Sequence, residues 1–85
     1  MNYNSRIAGQ IIGRIRSQRG MPQEVLSGLA CVARSHLAMI ETGSKNANVD
    51  TLWRISSALG LRMSELMRMV EEETARREAS AADKR

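Results

Sequence analysis

A chain of 85 residues, 42% of them hydrophobic, is large enough for one domain and lies near the lower size limit for a core without cross-links. One cysteine and one histidine exclude an internal disulfide framework and leave too few ligands for a zinc site. Neither an apolar run of about 18 residues nor a signal-peptide pattern occurs, which predicts a soluble, cytoplasmic protein without membrane contact.

The net charge of +4 is distributed unevenly along the chain. Eight basic and three acidic residues precede Met63, whereas five basic and six acidic residues follow from that position onward. A basic folded part beside a nearly neutral end indicates a polyanionic partner. The alternative is an arginine-rich surface that is only solvated.

Helical periodicity predicts an all-α fold of five helices, because no segment shows the two-residue alternation of β-branched residues that favours strands. Helix 1 is predicted from about Ser5 to Arg19, with Asn4 or Ser5 as its N-cap and Gly20 at its end. Its apolar stripe consists of Ile11, Ile12 and Ile15.

Helix 2 is predicted to begin at Pro22 and Gln23, where the N–H group that proline lacks would be unpaired in any case. It carries three apolar residues, Val25, Leu26 and Leu29. A sharp corner near Cys31 separates it from helix 3. Two short helices around such a corner are typical of a motif that inserts one helix end into a DNA major groove.

Helix 3 is predicted to begin near Ala33 and to end at Gly43, with two residues directed inward, Leu37 and Ile40. Asn48 caps helix 4, which buries Leu52, Ile55 and Leu59. Ser64 is predicted to cap helix 5, whose apolar residues at helical spacing are Leu66, Met67 and Val70. Residues 1–70 then form the folded domain, and residues 71–85 form a charged tail that is frayed or disordered.

Over roughly residues 6–70 the chain resembles the phage-repressor-like (XRE, Cro/cI-type) helix-turn-helix family. The shared elements, in chain order, are Ile12-x-x-Ile15-Arg16, Gln23-Glu24-x-Leu26, Val32, Ile40-Glu41-x-Gly43, Asn46 and Thr51-Leu52…Ala58-Leu59-Gly60. The resemblance implies a five-helix domain that binds operator DNA, usually as a symmetric dimer, without catalytic residues or a cofactor. It also implies a bacterial or phage origin, with small regulators such as restriction–modification controller proteins as the most similar members.

The N-terminal end of helix 3 is the candidate for reading bases. Arg34 is the best candidate, because its guanidinium fork matches the O6/N7 pair of guanine. Ser35 can donate or accept a hydrogen bond, and Met39, one turn further on, can contact a thymine methyl group. The alternatives are a phosphate contact or a solvated charge for Arg34, and an exposed or self-packing side chain for Met39.

Phosphate contacts are predicted at the start of helix 2 and after helix 3. Gln23 lies where unpaired N–H groups and the helix dipole favour an anion. The second group, for which an ordinary polar loop is the alternative, is Thr42, Ser44, Lys45 and Asn46. His36 could contact DNA, lie solvated on the flank of helix 3 or sense pH, and we favour a solvated or phosphate-binding side chain.

Arg16 and Glu41 are predicted to form a structural ion pair between helix 1 and the end of helix 3. Three residues depart from the family pattern. Pro22 and Ala33 stand where the family usually has a capping Ser or Thr. Cys31 replaces the glycine that tolerates a left-handed corner. They predict a less stable motif with the same fold, in which Cys31 is a half-buried structural residue and not a redox switch.

Helix 5 and Trp53 carry more apolar surface than one core face can bury, which predicts a homodimer interface. Its members are Trp53, Met63, Leu66, Met67 and Val70. The alternative is that these side chains close the core of the monomer.

The sequence therefore favours a dimeric regulator that binds double-stranded DNA at a roughly palindromic operator. The alternative is an antitoxin-like or coactivator-like module that uses the same fold to bind a protein. Paired carboxylates, a nucleophile–base pair, a phosphate-binding loop and metal-ligand spacing are all missing, so an enzyme is not expected.

Overall fold

Five α-helices and no strand make up residues 2–83, the part of the chain that the computed structural model describes. The helices are α1 (Ser5–Gln18), α2 (Gln23–Ala30), α3 (Arg34–Thr42), α4 (Val49–Ala58) and α5 (Met63–Asp83). The predicted all-α, five-helix architecture is confirmed, and the predicted corner lies between α2 and α3. No described helix combines the length and the apolar character that a membrane span needs.

Asparagine caps start α1 and α4 as predicted. The side chain of Asn4 accepts from the backbone N–H groups of Arg6 (2.9 Å) and Ile7 (3.3 Å). Asn48 accepts from the N–H of Thr51 at 2.8 Å. Each cap pairs N–H groups that have no partner within the helix, and so fixes where the helix begins.

One hydrophobic core joins the five helices. The fully enclosed side chains, each less than 2% exposed, include Ile12, Leu26, Leu37, Ile55 and Leu66. They come from all five helices, so the position of α3 depends on its packing against the others.

The backbones of α1 and α3 approach each other very closely at Gly9. A Cβ atom at Gly9 would lie 1.9 Å from the carbonyl oxygen of Ile40. Only a residue without a side chain fits there. The inner side of α3 therefore rests directly on α1, and its outer side is left free.

The corner between α2 and α3 contains a left-handed residue that is not glycine. Cys31 has φ 55° and ψ 45°, and no other described non-glycine residue has a positive φ. Its side chain is exposed, so the expected half-buried position is wrong. The predicted loss of side-chain caps is confirmed, because neither Pro22 nor Ala33 bonds a backbone N–H of the helix that follows it.

Helix α2 buries only one of the three apolar residues noted in its sequence. Leu26 and Ala30, one turn apart, are buried against the core. Val25 and Leu29, also one turn apart, lie on the neighbouring face and are 47% and 61% exposed. A helix of eight residues presents only one narrow stripe to the core, so its other apolar residues face solvent.

Helix α5 differs from its prediction at both ends. It begins at Met63, so Ser64 lies within the first turn and is not the N-cap. Glu65 takes part in the cap instead, since its carboxylate accepts from the N–H of Arg62 at 2.8 Å. At the other end the helix continues to Asp83, and the frayed or disordered tail predicted from residue 71 is wrong for residues 71–83. The final residues, 84–85, lie outside the described part.

Three contacts within α5 and one to α1 support the extended end of this helix. Thr74 is 5% exposed, and its hydroxyl donates to the carbonyl of Val70 at 2.7 Å. Glu73 pairs with Arg76 and Arg77, and hydrogen bonds from these guanidinium groups hold the pKa of Glu73 down at about 2. Arg77 also donates to Gln10 of α1 at 2.7 Å, which ties this end of the helix to the domain.

Candidate nucleic-acid interface

The outer face of α3 carries the side chains predicted to read bases. Leu37 and Ile40 are 0% and 2% exposed and occupy the inner face. Arg34 and Ser35 in the first turn are exposed, and Met39, one turn further on, is 37% exposed. The structure thus brings the three predicted base-reading residues together on one solvent-facing surface.

The starts of α2 and α3 lack side-chain caps, which leaves backbone donors available at each of them. No side chain bonds the first N–H groups of either helix. Unpaired N–H groups and the positive end of the helix dipole make such a terminus attractive to an anion. A phosphate group is the anion that double-stranded DNA presents at regular intervals.

An ion pair behind the motif fixes α1 to the end of α3. The Arg16 guanidinium donates from Nε to Glu41 Oε2 (2.7 Å) and from Nη2 to Oε1 (3.0 Å). The two side chains are only 16% and 9% exposed. Arg16 also donates to the carbonyl of Met21 at 2.8 Å. The predicted pair is confirmed, and the hydrogen bond to Glu41 raises the pKa of Arg16.

Gln23 is held by the same carboxylate. Its side-chain Nε2 donates to Glu41 Oε1 at 3.0 Å. Glu41 therefore orients both Arg16 and the first residue of α2. This bond leaves the side-chain oxygen and one N–H of Gln23 for other contacts. A phosphate contact by Gln23 stays a prediction, now with a fixed side-chain direction.

The loop after α3 presents a polar surface in which two hydroxyl groups are already bonded. Thr42 and Ser44 are 3.1 Å apart through their hydroxyl oxygens, and both hydroxyls lie within hydrogen-bond distance of the carbonyl of Met39. Each must rotate away to donate to a phosphate. Lys45 and Asn46 are exposed beside them and can reach an anion directly.

Arg6 is a basic residue at this surface that the sequence did not indicate. A Cβ atom at Gly43 would lie 3.0 Å from Cβ and Cγ of Arg6, so the Arg6 stem covers the end of α3. The residue is exposed, which leaves its charge close to the loop. No local motif reveals this proximity, because it depends on how α1 crosses α3.

His36 does not lie as predicted. Its Nε2 atom is buried and has no hydrogen-bond partner within the described chain. The residue stands one turn before Ile40, on the flank of α3 that turns toward the core. The ring is therefore only partly solvated, and Nε2 cannot reach a phosphate in this conformation.

The residues predicted for dimerisation differ in their exposure, from exposed Trp53 to fully buried Leu66. Trp53 is 60% exposed and lines a groove of about 610 Å³ together with Leu61 and Met63. Met63 and Met67 are partly buried and packed against the core. Leu66 and Val70 are 0% and 3% exposed, so placing these two in a dimer interface was wrong: they close the monomer core.

Comparison with known proteins identifies the family. The sequence profile described as helix-turn-helix matches residues 12–66, which is more than half of the chain and includes α2 and α3. The chain belongs to the XRE-type helix-turn-helix family. Members of this family are DNA-binding transcription regulators.

Curated relatives of this helix-turn-helix protein are bacterial and phage regulators. Control protein C.BamHI of Bacillus amyloliquefaciens is 35% identical over 69 residues, which cover 79% of this chain and 85% of that protein. The immunity repressor of Bacillus phage phi105 is 38% identical over 73 residues, which cover 86% of this chain. The match spans only 49% of the longer phage protein.

Solved structures share the fold. The restriction–modification controller protein C.AhdI from Aeromonas hydrophila aligns with a TM-score of 0.71 and 26% identity, covering 76% of this chain and 98% of that one. The clp gene regulator ClgR from Corynebacterium glutamicum aligns with a TM-score of 0.86 at 18% identity, covering 95% of this chain and 86% of that one. The second likeness concerns the fold alone.

Proposed function

We propose that this helix-turn-helix protein is a sequence-specific regulator that binds double-stranded DNA as a homodimer. Its operator is roughly palindromic, with half-sites about one helical turn, or about 34 Å, apart. The observation that carries the proposal is the outer face of α3, where Arg34, Ser35 and Met39 are exposed opposite the buried Leu37 and Ile40. A control or repressor role is what the names of the relatives state, and it supports the proposal.

The first turn of α3 enters the major groove in this proposal. Arg34 donates two hydrogen bonds to O6 and N7 of a guanine, a pairing that its fork geometry favours over other base edges. Ser35 bonds a neighbouring base edge, and Met39 contacts a thymine methyl group. The core-facing side of α3, fixed against α1 at Gly9, sets the depth of insertion.

Phosphates flanking the half-site bind to both ends of the motif. At the start of α2 the free N–H groups and the oriented amide of Gln23 face one phosphate. After α3, Lys45, Asn46 and Arg6 face another, joined by Thr42 and Ser44 once their hydroxyls rotate. Such contacts set register and add affinity without reading sequence.

Selection of bound sequences from a random duplex pool at about 150 mM salt tests the proposal, because phosphate contacts alone give weak binding there. The expected result is a palindrome whose half-sites lie one helical turn apart. Sequence-independent binding with a steep salt dependence would contradict it. That outcome would favour the antitoxin-like or coactivator-like alternative, in which the fold binds a protein.

Replacing Arg34 by alanine should weaken binding to the selected operator by about 1–3 kcal/mol and binding to random duplex by much less. The reason is that the guanine contact is lost while the phosphate contacts remain. Titration of both duplexes by fluorescence anisotropy measures the difference. Arg68→Ala, an exposed arginine on α5, is the charge-matched control. Equal losses on the two duplexes would make Arg34 a phosphate contact.

Trp53 anchors the proposed dimer. A tryptophan that a protein interface buries commonly contributes about 2 kcal/mol or more to the binding free energy. Trp53→Gln should therefore raise the dimer dissociation constant about 30-fold. Sedimentation equilibrium of the free protein measures this change. Val25→Gln, at another exposed apolar position, is the control and should leave the dimer intact. A monomeric wild-type protein, or an unchanged dimer with Trp53→Gln, would contradict the assignment.

A further inference from the structure

Arg54 of α4 donates hydrogen bonds to the backbone at the corner between α2 and α3. Its Nη1 donates to the carbonyl of Ala30 at 2.9 Å and to the carbonyl of Cys31 at 2.6 Å. These are the last carbonyl of α2 and the carbonyl of the left-handed corner residue. A single guanidinium nitrogen of α4, which is distant in sequence, therefore bonds two consecutive backbone carbonyls at the corner.

The rest of the Arg54 guanidinium is held within α4. Its Nε donates to Asp50 Oδ2 at 3.1 Å, and its Nη2 lies 3.4 Å from the hydroxyl oxygen of Thr51. Arginine has five N–H donors, and this arrangement uses four of them. Little of the group is left for a phosphate, so its role is not that of a DNA contact.

The corner needs such support because Cys31 adopts φ 55°. A side chain at this angle crowds the backbone, and glycine is the residue that normally tolerates it. The carbonyl groups at the end of α2 also carry the negative end of the helix dipole, which a cation stabilises. Arg54 stabilises the corner in both respects, because its positive charge lies at the negative end of α2 and its hydrogen bonds fix the carbonyl of Cys31.

We infer that Arg54 is a positioning residue for DNA recognition, which holds the left-handed corner at Cys31 and so sets the direction in which α3 leaves α2. Arg34 follows the corner by three residues, so a change of angle at Cys31 displaces the guanidinium that reads the base. The effect on DNA rests on the proposed function. The stabilisation of the corner by Arg54, here called the Arg54 clamp, rests only on the hydrogen bonds of Arg54 to the carbonyls of Ala30 and Cys31.

A double-mutant cycle between the two positions tests the inference. The variants are Arg54→Met, Cys31→Gly and their combination, with Arg68→Met as the charge-matched control. The readout is the ratio of affinities for the selected operator and for a scrambled duplex of equal length. Arg54→Met should lower this ratio about tenfold, the size expected for losing charged hydrogen bonds to the corner. Combined with Cys31→Gly the loss should shrink to about threefold or less, because glycine adopts the corner unaided.

Two outcomes would overturn the inference. An equal loss with and without Cys31→Gly would show that Arg54 does not act through the corner. An equal loss on operator and scrambled duplex, or a loss no greater than that of Arg68→Met, would show a general electrostatic effect. If Arg54→Met does not fold, Arg54→Lys replaces it, since it keeps the charge but loses the fork, and the same comparison with Cys31→Gly decides.

Failure of the proposed function is distinguishable from failure of the clamp. If the random pool yields no operator, the cycle is measured on the free energy of unfolding by urea. Cys31→Gly should then reduce the destabilisation caused by Arg54→Met, and the intrinsic cost of glycine cancels because it occurs on both sides of the cycle. Strictly additive effects would overturn the clamp.

Discussion

Gly9→Ala is expected to destabilise the protein by at least about 3 kcal/mol, the upper end of what overpacking costs. The added methyl group would lie 1.9 Å from the carbonyl oxygen of Ile40 and 2.9 Å from its carbonyl carbon. Both are backbone atoms, so no side-chain rotation relieves the clash. The helices α1 and α3 must move apart, which opens the core at the helix that carries the base-reading residues.

Gly28→Ala provides the matched control for this effect. Gly28 is also a helical glycine, in α2, but a Cβ atom there meets nothing within 4 Å. Alanine favours a helix over glycine by about 0.8–1.0 kcal/mol, so this variant should gain stability. Urea unfolding followed by circular dichroism compares the two. If Gly9→Ala is as stable as Gly28→Ala, the close approach of α1 to α3 does not exist.

The parts of the fold that follow from local chemistry were predictable. Asn4 and Asn48 cap their helices because a short polar side chain there bonds the first free N–H groups. Gly43 ends α3 with a positive φ of 84°, which glycine adopts at low cost. The Arg16–Glu41 pair was predicted through the family resemblance, since 25 residues separate the partners and no local spacing connects them.

Errors in the prediction arose where contacts between distant segments decide the result. The end of α5 has little apolar surface of its own, which is why disorder was expected. The buried Thr74 and the bond from Arg77 to Gln10, 67 residues away, support it instead. Leu66 and Val70 seemed surplus on α5 in the sequence, yet the packing of α5 against α1 and α4 uses both.

The candidate interface shows the same division. Leu37 and Ile40 mark the inner face of α3, and Arg34 was assigned to the exposed N-terminal end of that helix without a structure. Arg54 was not recognised, because its partners at the corner lie 23 and 24 residues away in the sequence. Nor was Arg6, whose stem covers Gly43 only because α1 crosses the end of α3.

The second large effect is expected at Glu41. Glu41→Ala should lower the free energy of unfolding by about 2–4 kcal/mol, because breaking a sheltered pair leaves the partner charge without compensation. Here that partner is Arg16, 16% exposed, and the amide of Gln23 loses its acceptor as well. Asp50 is 77% exposed in its pair with Arg54, so Asp50→Ala should cost about 1 kcal/mol or less, because the bonds of Arg54 to the corner carbonyls remain. Urea unfolding of both variants measures the contrast.

A double replacement separates the pair from its surroundings. Arg16→Met with Glu41→Leu removes both charges together and fills the space with apolar atoms. This variant should lose less stability than the sum of the two single replacements, because no isolated charge remains. Additive losses would mean that the two side chains do not interact in solution.

The same variants reveal what Glu41 does for DNA binding. The double replacement restores packing but gives Gln23 no carboxylate to hold its amide in place. We therefore expect it to recover much of the stability lost by Glu41→Ala, while affinity for operator and random duplex stays reduced to a similar degree. A loss shared by both duplexes is the mark of a phosphate contact. If the double replacement recovered full affinity, the role of Glu41 would be only to hold α1 against α3.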